Sequence, residues 1–272
     1  MNTIYITGDA YTDEASFLDD AARALNILAS DPEVGHVVRR MQTRTIFTPS
    51  NTDVVPNGSS GDTAFGAYIH PNNNLRLNLG RTIAWHTANA VGYYDAVMVL
   101  INTSHFGGGR NTMVNVAYAA ARNVHFAELL KHEFLGHAIG GLGDEYSGSG
   151  AYTGGNPPSP NLDIESDPAT VKWSHLIGQP DGMGGVVGVF EGGAERRTGI
   201  YRPTLTSKMR QLGRPWGPVN AEAIIVAAGR FIPPLKGDLN GDGRVDFHDL
   251  NLALAGEFDQ VNNVLSNFGR SE

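Results

Sequence analysis

Lys131–Tyr146 reads KHEFLGHAIGGLGDEY. His132 and Glu133 come first, His137 follows, then glycines, then Asp144 and Glu145. In the pattern H-E-x-x-H, imidazoles at i and i+4 lie about 40° apart around a helix and reach one ion. The Glu beside the first His activates a water. Here the histidines stand at i and i+5, which an ideal α-helix sets about 140° apart. Hydrogen bonding from i to i+5 returns them to one side, and such π-bulges cluster at functional sites. Gly136 makes the distortion easier. The spacing therefore predicts a π-distorted helix across 128–140. A catalytic zinc takes about three protein ligands and keeps one position open. Asp144, seven residues after His137, can supply the third, and Glu145 beside it is the rival. The bland alternative is a pair of ordinary surface or core histidines.

Outward from this motif, the preceding chain alternates strands and helices. Ile4–Ile6 reads as a short strand. Thr12 reads as an N-cap with Asp13 and Glu14 in the first turn. Phe17, Leu18, Ala21, Leu25 and Leu28 then recur at helical spacing until Asp31-Pro32 stops them. Residues 44–48 read as a strand, 50–64 as a polar loop and 81–92 as a helix. Ala96–Asn102 (AVMVLIN) is a continuous apolar run, as expected of a buried central strand. Residues 113–118 (MVNVAY) read as another. The pattern is α/β. Beyond Tyr146 the chain turns to Gly/Pro loops, which predicts an irregular subdomain, with a short helix over 221–229. Pro233-Pro234 reads as a linker, dividing a catalytic domain over 1–232 from a small module over 236–272.

Composition narrows the function. The 272-residue chain carries a net charge of −8, which argues against a nucleic-acid partner. It has no cysteine, so a metal site must use His, Asp, Glu or Tyr. The longest apolar run, Ala96–Ile101, is far too short to span a membrane. The absence of cysteine fits a secreted or cell-surface protein. The opening MNTIYITGDAYTDE has no basic or long apolar segment, so an exported form would have lost its leader.

The hexapeptide HEFLGH resembles the HELLGH zinc motif of dipeptidyl peptidase III enzymes. A wider resemblance is to the IgA-peptidase family M64. HAIGGLGDEY is similar to its H-x-F-G-G-L-x-D-E-Y segment, and FTPSN to its F-V-P-S-N. GDAYTDEASFLDDAARAL, VLINTSHFGGG and VGVFEGGAERRTGIYRPTLTSKMRQLGRPWGPVNAEAI resemble further blocks in the same order. The resemblance spans roughly residues 3–230. It implies a metzincin-like zinc endopeptidase built on a mixed, twisted sheet with an active-site helix. His132 and His137 would be ligands, Asp144 the third ligand, and Glu133 the general base. Gly140 would be where the helix breaks. Met209, in Ser207-Lys208-Met209, would be the Met-turn floor under the metal. The departure from the pentapeptide form is the extra residue between the histidines.

Proteolysis also needs an oxyanion donor and a place for the peptide. Tyr146 and Tyr201 are candidates for the donor, and either can equally be a packing residue. The MVNVAY strand can serve as an edge for β-augmentation by an extended peptide, or be an interior strand. Arg202 reads as a structural ion-pair partner. The alternative to an enzyme is an inactive relative that binds protein or glycan at a surface. Retention of Glu133 speaks for an enzyme, because a scaffold needs no general base.

KGDLNGDGRVDFHDL places Asp238, Asn240, Asp242, Asp246 and Asp249 at positions 1, 3, 5, 9 and 12 of an EF-hand-type loop. Gly243 falls at position 6 and the Arg244 carbonyl at 7, as in a calcium loop, while position 12 is Asp rather than Glu. The segment resembles a dockerin type I repeat, which implies a cohesin-like or other surface partner. DQVNNVLSNFG, where a second repeat would stand, has no calcium loop.

Overall fold

The computed structural model describes residues 2–232, 245, 250, 253 and 264–271. The chain divides into two compact units, Met1–Phe231 and Ile232–Glu272. In the first, a five-stranded sheet has the order β2-β1-β5-β7-β6. Its strands are β1 (Ile4–Asp9), β2 (Thr43–Thr45), β5 (Ala96–Ile101), β6 (Gly108–Asn111) and β7 (Val116–Ala120). Strands β2, β1, β5 and β7 run parallel, and β6 closes one edge antiparallel to β7. Short strands β3 (Tyr68–Ile69) and β4 (Leu75–Arg76) form a separate hairpin. The chain is thus mixed α/β.

The apolar run AVMVLI is β5, and every one of its residues is buried, as expected of a parallel strand covered on both faces. Alternation sends Val97, Val99 and Ile101 to a core shared with Tyr5, Phe65 and Trp85. The opposite face of the sheet lies under α1 (Glu14–Ala29) and the motif helix. Asp13, not Thr12, caps α1, its carboxylate accepting from Ser16 N at 2.8 Å. Leu18 is exposed on α1 while Asp20 is buried, bonded to the Tyr11 hydroxyl at 2.8 Å and paired with Arg122. A polar partner set has overridden the apolar pattern there.

Three further expectations need correction. MVNVAY is no edge: its strand starts at Val116, and β7 lies between β5 and β6. Met113 and Val114 belong to the turn that follows β6, the edge strand on that side of the sheet. The region after Tyr146 is not wholly irregular. It contains the hairpin of β8 (Phe190–Gly193) and β9 (Arg196–Arg202), which period-two alternation could not flag in a stretch as polar as EGGAERRTG. Arg202 is buried, but it donates to the carbonyls of Glu191 (2.6 Å) and Gly192 (2.7 Å) rather than to a carboxylate.

Short helix α2 (Gly35–Val38) and α3 (Leu79–Ala88) precede the motif, and α5 (Pro218–Ala228) follows it. The motif helix begins as α4 (Phe126–Leu130) and continues as a π-helix over Lys131–Ile139. In the second unit, Val245, Ala253 and Val264 are buried together against Leu250. The positions expected to form a calcium loop, Asp238, Asn240, Asp242, Arg244, Asp246 and Asp249, lie outside the described residues. Among the described residues, no helix is long and apolar enough to cross a membrane.

Candidate active site

The π-helix brings His132 and His137 onto one side, with ring centroids 4.8 Å apart and planes at 89°. Its longer turn is seen at its end, where Gly140 N bonds to Leu135 O at 2.9 Å, five residues back. Gly136 serves a second purpose. A Cβ there would lie 2.5 Å from Met209 Sδ, so glycine lets the Met209 loop close directly against the helix. The reversal after the helix falls at Gly141, whose φ is +64°, rather than at Gly140. Gly140 instead gives room to Ile224, which a Cβ would meet at 2.8 Å.

The reversed chain delivers Asp144 to both histidines. Its Oδ1 lies 3.1 Å from His132 Nε2 and 3.3 Å from His137 Nε2. Each ring is held from behind: Nδ1 of His132 lies 3.1 Å from Lys208 O, and Nδ1 of His137 lies 2.8 Å from Leu142 O. A carbonyl only accepts, so each Nδ1 carries a proton and each Nε2 faces the carboxylate. In neutral imidazoles those Nε2 atoms are lone pairs aimed at an anionic oxygen, an arrangement that one shared cation relieves. Carbonyls behind metal-bound histidines set the tautomer in this way. Ligand atoms of His132, His137 and Asp144 all lie within 4.8 Å of one another, and the three can hold a metal ion. Two nitrogens and an oxygen at such spacing suit zinc.

Glu145 points elsewhere. It is fully buried; Asn161 and Asn220 each donate to its Oε1 at 2.9 Å, and Ser207 donates to Oε2 at 2.7 Å. Its backbone N also donates to Met209 O at 2.9 Å. The other half of the same brace is Glu128, one turn before His132. Glu128 pairs with Lys208 Nζ and accepts from Gly213 N. Met209 itself is fully buried. Replacing Glu145 with Ala orphans three buried donors and is expected to cost at least about 3 kcal/mol of stability. Urea unfolding followed by circular dichroism measures it, and a loss below about 1 kcal/mol would mean that the network is dispensable.

Glu133 lies beside this cluster, its Oε2 4.0 Å from His137 Nε2. Burial raises its pKa above the usual carboxylate range, against the pull of the two histidines. For Asp144 burial acts the same way but is outweighed by His132 and His137, which in their protonated form donate to it and hold it well below the carboxylate range. Gly108 on β6 covers Glu133, and a Cβ there would come within 2.8 Å of Glu133 Cγ. The cluster opens into a cavity of about 850 Å³.

Tyr146 lines that cavity, with its hydroxyl 3.5 Å from Glu195 Oε1. Burial and the Asp144 charge raise its pKa, so it keeps its proton. Tyr201 does not line the cavity; it lies in β9, opposite Glu191. Glu128, Lys208 and Gly108 were not singled out in the sequence. Glu128 was readable, four residues before His132 on one helix face. Lys208 was not, because it holds His132 through its carbonyl, which any residue supplies.

No curated protein matches the chain. A family model described as IgA Peptidase M64 matches residues 2–184, which takes in His132, Glu133, His137 and Asp144 but stops short of Met209. That match covers more than half of the 272 residues, and the chain belongs to the IgA peptidase M64 family.

Proposed function

We propose that this protein is a zinc-dependent endopeptidase that hydrolyses peptide bonds of extracellular protein substrates. The observation that carries the reading is the convergence of His132, His137 and Asp144 beside the buried, separate carboxylate of Glu133. Zinc bound there supplies a Lewis acid that acidifies a water and polarises a carbonyl. Glu133 takes the proton of the attacking water and passes it to the leaving amine. The Tyr146 hydroxyl donates to the developing oxyanion. An extended peptide lies along the outer edge of β6 and meets Glu133 at Gly108. Lys208 O and Leu142 O hold the imidazoles in the tautomer that leaves each Nε2 free.

The sequence of residues 236–272 supports a calcium-binding module at the end of a secreted or surface-displayed enzyme. The peptidase reading is tested by incubating the zinc-loaded protein with a mixed peptide library and identifying fragments by mass spectrometry. New internal cleavages that stop on adding a chelator and return with zinc are expected. A library left intact after zinc loading would favour the inactive, surface-binding alternative.

A further inference from the structure

Two arginines stand beside the cleft. Arg110 stands on the edge strand β6, two residues from Gly108 and on the same face, about 7 Å along from the contact with Glu133. It donates from Nη2 to Asn115 Oδ1 at 3.0 Å, while its Nε is buried with no hydrogen-bond partner among the described residues. Arg230 donates to Ile139 O, at the end of the π-helix, at 2.9 Å. Neither has a carboxylate in ion-pair range among the described residues. Their guanidinium groups flank a cavity of about 420 Å³ that shares Arg110, Thr112, Gly140 and Gly141 with the metal-side cleft.

A part-buried guanidinium loses hydration and gains no counter-charge, unless an anion pairs with its accessible N–H groups. The like charge of Arg230 adds to the cost at Arg110, after burial itself. The C-terminal end of the π-helix offsets part of the charge through the Ile139 carbonyl. It leaves Arg110 Nε unsatisfied. The rim is apolar and aromatic, with Tyr93, Tyr94 and Met113 all strongly exposed. A planar carboxylate matches the donor fork of an arginine better than any neutral group does.

We propose that the cavity between Arg110 and Arg230 is a carboxylate subsite. It selects peptides with an acidic side chain, or a free C-terminal carboxylate, within about two residues of the bond placed at Glu133. The inference rests on the peptidase reading for its substrate, and its test separates the two. Dye-labelled short peptides are titrated by fluorescence anisotropy into the zinc-loaded Glu133→Gln protein. One peptide carries a central Glu and an amidated end, one a central Gln and an amidated end, and one a central Gln and a free end.

The Glu peptide, the free-ended peptide or both are expected to bind about tenfold more tightly than the neutral amide. Whichever arm gains identifies the source of the carboxylate. Arg110→Gln should bring the gain to within about twofold, while Arg110→Lys keeps part of it. Affinity for the neutral peptide should hold in both variants, which reports an intact fold. Equal binding of all three peptides, or a gain that survives both Arg110→Gln and Arg230→Gln, overturns the subsite even if the library is cleaved. An uncleaved library with an Arg110-dependent gain overturns the peptidase reading and leaves the subsite standing.

Discussion

Glu133→Gln is expected to lower kcat/KM on any cleaved peptide by about 10³-fold and to leave zinc content and melting temperature near wild type. The reason is the separation of roles in the site. Glu133 Oε2 lies 4.0 Å from the nearest imidazole nitrogen, outside the cluster that His132, His137 and Asp144 form. The amide keeps the shape of the carboxylate under Gly108, where space is short. What it loses is the ability to accept a proton from water. A chemical step that needs a base then slows, while ground-state binding is unchanged, so the fall should appear in kcat rather than KM. Steady-state kinetics with zinc analysis of the same samples makes the check. A change of less than about threefold would remove Glu133 from the chemistry.

The parts of this site that were legible in the sequence are those whose spacing has only one geometric solution. Two histidines five residues apart cannot share an ion on an α-helix, and the chain answers with a π-helix over Lys131–Ile139. The apolar run at Ala96–Ile101 was equally constrained, because six consecutive buried side chains require cover on both faces. By contrast, MVNVAY carried no sign of its position in the sheet. Strand order depends on which neighbours pair, and β6, with the sequence GGRN, has no apolar pattern to announce it. The choice between Asp144 and Glu145 was also closed to sequence. Adjacent residues point in different directions after the turn at Gly141. Only the positions of Asn161, Ser207 and Asn220, distant in the chain, show that Glu145 is spent on the brace.

That division of labour between the two acids sets the last expectation. Zinc analysis of purified, metal-reconstituted protein should find the ion in wild type. His137→Ala and Asp144→Ala should lose it, and Glu145→Gln should retain it. Removing one of three ligands leaves two, too few for a stable site with an open position. Replacing Glu145 with its amide keeps most of the volume of the brace, and no atom of Glu145 belongs to the cluster. Metal that binds only the native fold also stabilises it, by about 4 kcal/mol when free zinc exceeds its dissociation constant a thousandfold. A chelator should therefore lower the melting temperature of wild type and Glu145→Gln, and leave His137→Ala unmoved. Retention of wild-type zinc by His137→Ala would mean that the extra residue in the motif keeps the second imidazole off the ion. The π-helix would then be a packing device that seats Met209 against Gly136, and the protein would have to find its third ligand elsewhere.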